Sequence, residues 1–394
     1  MHKGGNMYDL DKIHQGPNTG SIKWDMYNDP TIIGMNTAAM DFQPSRKITE
    51  NIMSVAERNC YDYHYKPADF EKTICRWWKR KYGWDVQESW INVAPGMWTA
   101  MNLAFLALTK PGDRAIMQSP YFYPILNIMN ARGCQPVYNP MILKDGRYEL
   151  DFEDFEDKIR KTRPSVYVLV NPHNPTGRVF TVEELNRLVD ICAKYNVKII
   201  SDDVHFNYVY GGLKYTPVGS VSKKAEEITV TLMAASKGYN VMDLTFAYIL
   251  AADPEIKRLL DEQDTAFSYS FAANPFGVAA LMGAYDEDSD IWVKEVQEYL
   301  EDNLNYLDNY FKENIKRIRL IRPEGGFMCW LDCRDLGMDP VQLKEFFLTK
   351  CKVSPSWGES FGPLGEGFER LNFGTQRARV EQAAAQIKAA VDAL

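Results

Sequence analysis

The chain lacks any long hydrophobic run. No segment approaches the roughly 18 apolar residues that a membrane-spanning helix needs, so no membrane partner is expected. The opening segment M-H-K-G-G-N-M-Y-D has no apolar core like that of a signal peptide. Paired cysteine chemistry is missing as well. The seven cysteines, Cys60, Cys75, Cys134, Cys192, Cys329, Cys333 and Cys351, are scattered, and no C-x-x-C occurs. That pattern argues for reduced thiols in a cytoplasmic protein and against a zinc or other metal site. No long basic block is present and the net charge is −8, so nucleic acid is not an expected partner. Internal repeats and low-complexity tracts are absent too.

What is present is an ordinary globular composition, 45% hydrophobic and 25% charged, over 394 residues. That length suits one large domain with a smaller one. The first 50 residues are irregular, with two islands, K-W-D (Lys23–Asp25) and M-D-F (Met40–Phe42). They read as an N-terminal arm pinned by Trp24 and Phe42. Residues 47–58 are predicted helical. F-E-K-T-I-C-R-W-W-K-R-K-Y-G-W is an amphipathic helix with Gly83 as its stop. From residue 90, strand and helix patterns alternate. S-V-Y-V-L-V-N-P and V-K-I-I-S-D-D are apolar runs of the kind that a parallel sheet buries on both faces. T-V-E-E opens a helix with a capping box. The alternation over 90–250 predicts an α/β fold, with a mostly parallel central sheet and helices on both faces. Residues 254–315 are helix-rich. Beyond them, a strand–turn–strand unit and helices at 341–350 and 376–393 predict a second, smaller α/β domain.

Ligands on such sheets sit at the carboxyl ends of the strands, and chemistry-bearing residues collect there. V-A-P-G-M-W turns from a strand into a helix, so the backbone N–H groups of Gly96, Met97 and Trp98 could hold a phosphate. S-P-Y-F-Y-P places aromatics at another strand end. N-P-H-N-P-T-G-R makes a stiff turn offering the amides of Asn171 and Asn174. S-D-D-V-H ends a strand with carboxylates, with His205 close by. T-L-M-A-A-S-K-G-Y-N puts Lys237 just after an apolar run. A desolvated lysine amine can fall in pKa and serve as a nucleophile or Schiff-base former. A lysine for an aldehyde, an acid for a ring nitrogen, a donor for a phenolic oxygen, a stacking aromatic and a phosphate cradle together describe pyridoxal 5′-phosphate.

The order of these motifs resembles the aminotransferase-like (fold-type I) pyridoxal-phosphate enzymes, from Lys23 to Asn372. Within them it is most similar to the cystathionine β-lyase-like cysteine C–S lyases, through K-W-D, M-D-F, Y-F-Y-P, S-D-D-V-H, S-K-G-Y-N and F-G-P-L-G-E-G-F-E-R-L-N. The resemblance implies that Lys237 carries the cofactor's aldehyde. It implies that Asp202 pairs with the pyridine nitrogen, with Asp203 as a rival. Asn174 would bind the phenolic oxygen, and His205 takes a place often held by tyrosine. Phe122 would stack on the ring and Tyr123 would line the pocket. Arg370 would grip the substrate α-carboxylate. Tyr63, or else Tyr61 or Tyr65, would reach the phosphate of a neighbouring subunit, which implies a homodimer. The implied division is an arm (1–50) contributing to the small domain, a large cofactor domain (51–290) and a small domain (291–394).

Three departures fall near the substrate or the phosphate. Ala234 stands where the family places a phosphate-binding serine, which shifts that task to Ser236, the Gly96 turn and the neighbour's tyrosine. Ala38–Ala39 stands in place of A-D, so a carboxylate near the substrate is gone at Ala39. R-L-N continues into F-G-T-Q rather than toward C-P. The leading expectation is a pyridoxal-phosphate C–S β-lyase acting on cystathionine, cysteine or a cysteine S-conjugate. The second is an aminotransferase or another amino-acid-modifying enzyme. The third is a regulator without turnover, for which the chain offers no DNA-binding segment.

Overall fold

The structure is a computed structural model that describes residues 7–267 and 273–394. Residues 1–6 of the expected arm, and 268–272 of the expected helical region, lie outside the described residues.

The central sheet has seven strands. They are β1 (Ile91–Ala94), β2 (Arg114–Ser119), β3 (Gln135–Pro140), β4 (Val166–Val170), β5 (Lys198–Asp202), β6 (Thr229–Met233) and β7 (Ala247–Ala251). Their order is β1-β7-β6-β5-β4-β2-β3. Neighbours run parallel except at β7, which is antiparallel to both β6 and β1. The exception follows from the connection before it. Residues 234–246 contain a turn and one short 3₁₀ segment, Met242–Leu244, with no full crossover helix. A parallel return needs a crossover of a dozen or more residues, usually a helix.

Strands β4 and β6 are buried along their whole length, because helices cover both faces. Val168 packs into one apolar cluster with Phe105, Ile125 and Leu232. Its neighbour Tyr167 packs into another with Phe155, Leu185 and Ile199. That alternation is the period-2 geometry of a strand with a core on each side. Each fully buried side chain of this size contributes roughly 1.5–3 kcal/mol.

Several local expectations hold. Gly83 ends the helix Phe70–Tyr82 at φ 68°, donating to the Lys79 carbonyl. Thr181 and Glu184 form the capping box of the helix Val182–Lys194. The expected helix at 341–350 is shorter, Pro340–Glu345, and widens into a π turn at Phe346–Cys351. The helical region resolves into Pro254–Phe267, Pro275–Ala284 and the long helix Asp288–Asn314.

A second, antiparallel sheet is made by β8 (Arg319–Ile321), β9 (Met328–Asp332), β10 (Ser356–Trp357) and β11 (Phe368–Asn372), in the order β8-β9-β11-β10. The arm joins it from the side, since Ile33–Gly34 pairs in parallel with Val353–Ser354. Lys23 and Trp24 both bond the Asp41 carboxylate, at 2.9 and 3.0 Å, so the two sequence islands meet as one buried cluster. Among the described residues, no helix is long and apolar enough to cross a membrane, and no cluster of His, Cys, Asp and Glu is arranged to hold a metal.

Candidate active site

The site is built from strand ends of the large sheet and closed by β10, β11 and the arm. After β1 the chain turns at Gly96, whose φ of 90° suits a residue without a Cβ. The helix Met97–Leu108 then starts with no side-chain cap. Its first-turn amides point outward with the positive end of the helix dipole, a ready place for a phosphate. The Gly96 amide itself is not one of these donors, because it bonds the Ala94 carbonyl at 2.8 Å. Gly96 supplies the turn, and the donors begin at Met97 and Trp98.

Asp202 closes β5 and is buried. Burial pushes its carboxyl up to about 6, while Lys237 and the Val204 amide hold it down. Its rival Asp203 points to the other face of the sheet. There it accepts from Ser201 Oγ at 2.6 Å and lies toward Tyr82 and Tyr215. Asn171 is spent on framework bonds, accepting from the Phe180 amide and donating to the Thr216 carbonyl. Asn174 faces the site.

Lys237 sits on the turn after β6. The Gly238 carbonyl is held by Asn207 Nδ2 and Tyr208 Oη, at 2.9 and 2.7 Å. Lys237 Nζ donates to the Ala38 carbonyl at 2.9 Å. Burial lowers its pKa to about 8, with help from Arg370 and against the pull of Asp202. His205, on the same side, is pushed down to about 3 by burial and by the two cations, so it is neutral. Its Nδ1 is buried without a hydrogen-bond partner.

Arg370 lies on β11 and is buried. It donates to Asn174 Oδ1 at 2.7 Å, Ser356 Oγ at 2.9 Å and the Asn36 carbonyl at 3.2 Å. Its carbon sits 4.9 Å from the Phe361 ring centre and 5.9 Å from that of Phe122. Among the described residues no carboxylate pairs with it, and its Nε has no partner. Burial lowers its pKa to about 9. A buried guanidinium with an open donor and no counter-charge suits a carboxylate ligand.

Phe122 packs against Trp98, with ring centres 5.5 Å apart, and lines a cavity with Tyr121, His173 and Asn174. Tyr123 is half exposed at its rim. Ser236 is partly buried beside Lys237, and Ala39 lies on the arm loop beside Ala38. Tyr61, Tyr63 and Tyr65 lie on an outer loop, with Tyr63 81% exposed, and do not enter this chain's own site. The structure therefore gathers Phe122, Asn174, Asp202, His205, Lys237 and Arg370. Sequence reasoning missed Asn36, Ala38, Ser356 and Phe361. Phe361 lay within the F-G-P-L-G stretch already singled out, whereas the carbonyls of Asn36 and Ala38 leave no side-chain signal.

The chemistry of this donor set fits pyridoxal phosphate: an uncapped helix start, a buried acid, a neutral buried imidazole with an open nitrogen and a desolvated lysine. The chain belongs to the aminotransferase class I and II family, whose profile matches residues 30–387, and it falls in the C–S lyase branch of these fold-type I pyridoxal-phosphate enzymes. It is 31% identical to cystathionine beta-lyase PatB of Bacillus subtilis over 386 residues, 97% of this chain and 99% of that protein. It superposes on cystalysin of Treponema denticola, which contains pyridoxal 5′-phosphate, with TM-score 0.93 and 26% identity over 98% of this chain and 99% of that one. It also superposes on the PLP-bound C–S lyase of Staphylococcus hominis, with TM-score 0.90 and 25% identity over 98% of both chains.

Proposed function

We propose that the protein is a C–S β-lyase that converts cystathionine, cysteine or a cysteine S-conjugate to pyruvate, ammonia and a thiol. The observation that carries this is the pairing of a desolvated lysine with a buried, counter-charge-free arginine at one set of strand ends. The names of the similar proteins point the same way.

Lys237, Asp202, Asn174 and His205 would hold the cofactor, with Phe122 against its ring and the amides of Met97 and Trp98, helped by Ser236, at its phosphate. When bound, pyridoxal phosphate supplies an electron-accepting ring that makes the Cα–H bond of an attached amino acid acidic. Arg370 fixes the α-carboxylate through its open Nε and orients the Cα–H bond. With its pKa at about 8, Lys237 is substantially neutral in mildly alkaline solution, so Nζ takes the Cα proton. The same Nζ can then return that proton to the departing sulfur. Ala38–Ala39 and Thr375 leave the sulfur side without a carboxylate from those positions, which favours uncharged substituents there.

The test is incubation of the pure enzyme with cystathionine and cysteine S-conjugates in the absence of any keto acid. Pyruvate and thiol should appear together. A reaction that depends on an added α-keto acid would instead show an aminotransferase, the second reading, which the same residues serve.

The remaining parts of the proposal concern the assembly. The exposed Tyr63 loop is suited to reach the phosphate of a second copy, giving a homodimer with shared sites. The large domain spans 51–290 and the small one 291–394 with the arm. The protein works in the cytoplasm on a small amino-acid substrate.

A further inference from the structure

The arm loop 36–41 presents four consecutive carbonyls to side chains. Asn36 O accepts from Arg370, Thr37 O from Asn372, Ala38 O from Lys237, and Ala39 O from Lys23 and Asn372. The loop thus touches the two groups assigned to base and carboxylate binding. Its far end is tied by the buried Lys23–Asp41 pair at 2.9 Å, which Trp24 Nε1 and Arg379 complete at 3.0 and 3.5 Å. Asn240, three residues after Lys237, closes the ring. It accepts from the Met40 amide and donates to the Phe42 carbonyl.

We propose that Lys23 and Asp41 are positioning residues: their pair holds the 36–41 loop so that the Ala38 carbonyl aims the Lys237 amine and the Asn36 carbonyl aims Arg370. K-W-D and M-D-F are then two halves of one clamp. The lysine of the first half reaches past its own carboxylate partner to the Ala39 carbonyl, 3.1 Å away. Loss of the clamp moves both ends of the substrate-handling machinery at once. It also removes an acceptor from Lys237. A carbonyl that accepts from an ammonium favours the charged form, so the Lys237 pKa falls when the carbonyl withdraws. The charged or titratable groups facing Lys237 are Asp202, Arg370 and His205, and the clamp substitutions leave all three in place.

The inference rests on Lys237 being the cofactor lysine, and its test does not depend on which reaction follows. The full-length chain, freed of cofactor, is treated with pyridoxal phosphate and borohydride across a pH series, and the labelling of Lys237 is measured. Lys23→Met with Asp41→Asn removes the pair without leaving an unmatched carboxylate. It is expected to lower the labelling midpoint by half a pH unit or more, to reduce kcat at least tenfold and to raise KM several-fold. Lys23→Arg keeps the pair and is expected within twofold of the parent in every measure. Asn372→Ser loosens the loop from its other side without touching a buried charge. It should shift the midpoint in the same direction, and it remains informative if the double variant does not fold. A folded double variant, or Asn372→Ser, with an unchanged midpoint and unchanged kcat and KM overturns the proposal. So does a Lys23→Arg enzyme as impaired as the double variant. An unchanged pyruvate assay with no C–S lyase activity in the parent counts against the proposed reaction alone.

Discussion

Arg370→Lys separates charge from geometry. The guanidinium has five N–H donors and makes bonds to Asn174, Ser356 and Asn36. That leaves Nε and a second donor for a carboxylate. A hydrogen bond to a charged group is worth about 1.5–3 kcal/mol, so two of them contribute roughly 3–6 kcal/mol. At about 1.4 kcal/mol per factor of ten, the carboxylate contact is worth roughly 10²–10⁴ in kcat/KM. Lysine keeps the positive charge and can make one of the two bonds, but it cannot span the framework that Asn174 and Ser356 hold. The expected loss for Arg370→Lys is therefore about 10- to 100-fold in kcat/KM, carried mostly by KM. Pyruvate release from an S-conjugate measures it, and cofactor content should stay near that of the parent. A kcat/KM within threefold of the parent would refute the assignment of Arg370 to the α-carboxylate.

Other outcomes follow from the same geometry. Lys237→Ala should remove turnover, measured as pyruvate formed, because no second amine faces the Cα proton. Cofactor uptake by the apo-enzyme should quicken as pH rises through about 8, because Lys237 there loses the proton that blocks its attack. Stability of the apo-enzyme should show opposed pH trends, followed by thermal melting. Lys237, depressed below its unfolded value, contributes stability above that value and loses it as pH falls toward about 8. Asp202 and Asp203, raised to about 6 and 7, contribute stability at low pH and lose it as pH rises through that window. Gly238→Ala should destabilise by about 1–3 kcal/mol, since its Cβ would fall 2.5 Å from Asn207 Nδ2. Gly96→Ala has open space at 3.9 Å and a φ of 90°, so its cost should be backbone strain alone, about 1–2 kcal/mol. Melting temperatures should rank both variants below the parent.

The elements that were legible in the sequence are those whose cause is local. Apolar runs such as V-Y-V-L-V declare a strand covered on both faces. Gly83 and Thr181 declare helix ends because the atoms that satisfy the terminus lie within four residues of it. The motif residues were legible because side-chain chemistry is written in the residue type. The reversed direction of β7 was not, since it depends on how 234–246 travels in space. Nor was the role of Asn36 and Ala38, which act through carbonyls that every residue has. Asp203 was inseparable from Asp202 until β5 fixed which of two adjacent side chains faces Lys237. Gly96 was read as a donor, and only the turn geometry shows its amide already engaged.

The pairing of Ile33–Gly34 with Val353–Ser354 ties together positions 320 residues apart. Arg370, Ser356 and the arm loop come together around that tie. During synthesis, the lysine, the acid and the phosphate turn emerge long before the strands that wall them in. A nascent chain of 250 residues therefore carries the cofactor-holding groups on an open sheet edge, exposed to water. Capture of cofactor and closure around substrate are separated in time, and the second waits until nearly the whole polypeptide has left the ribosome.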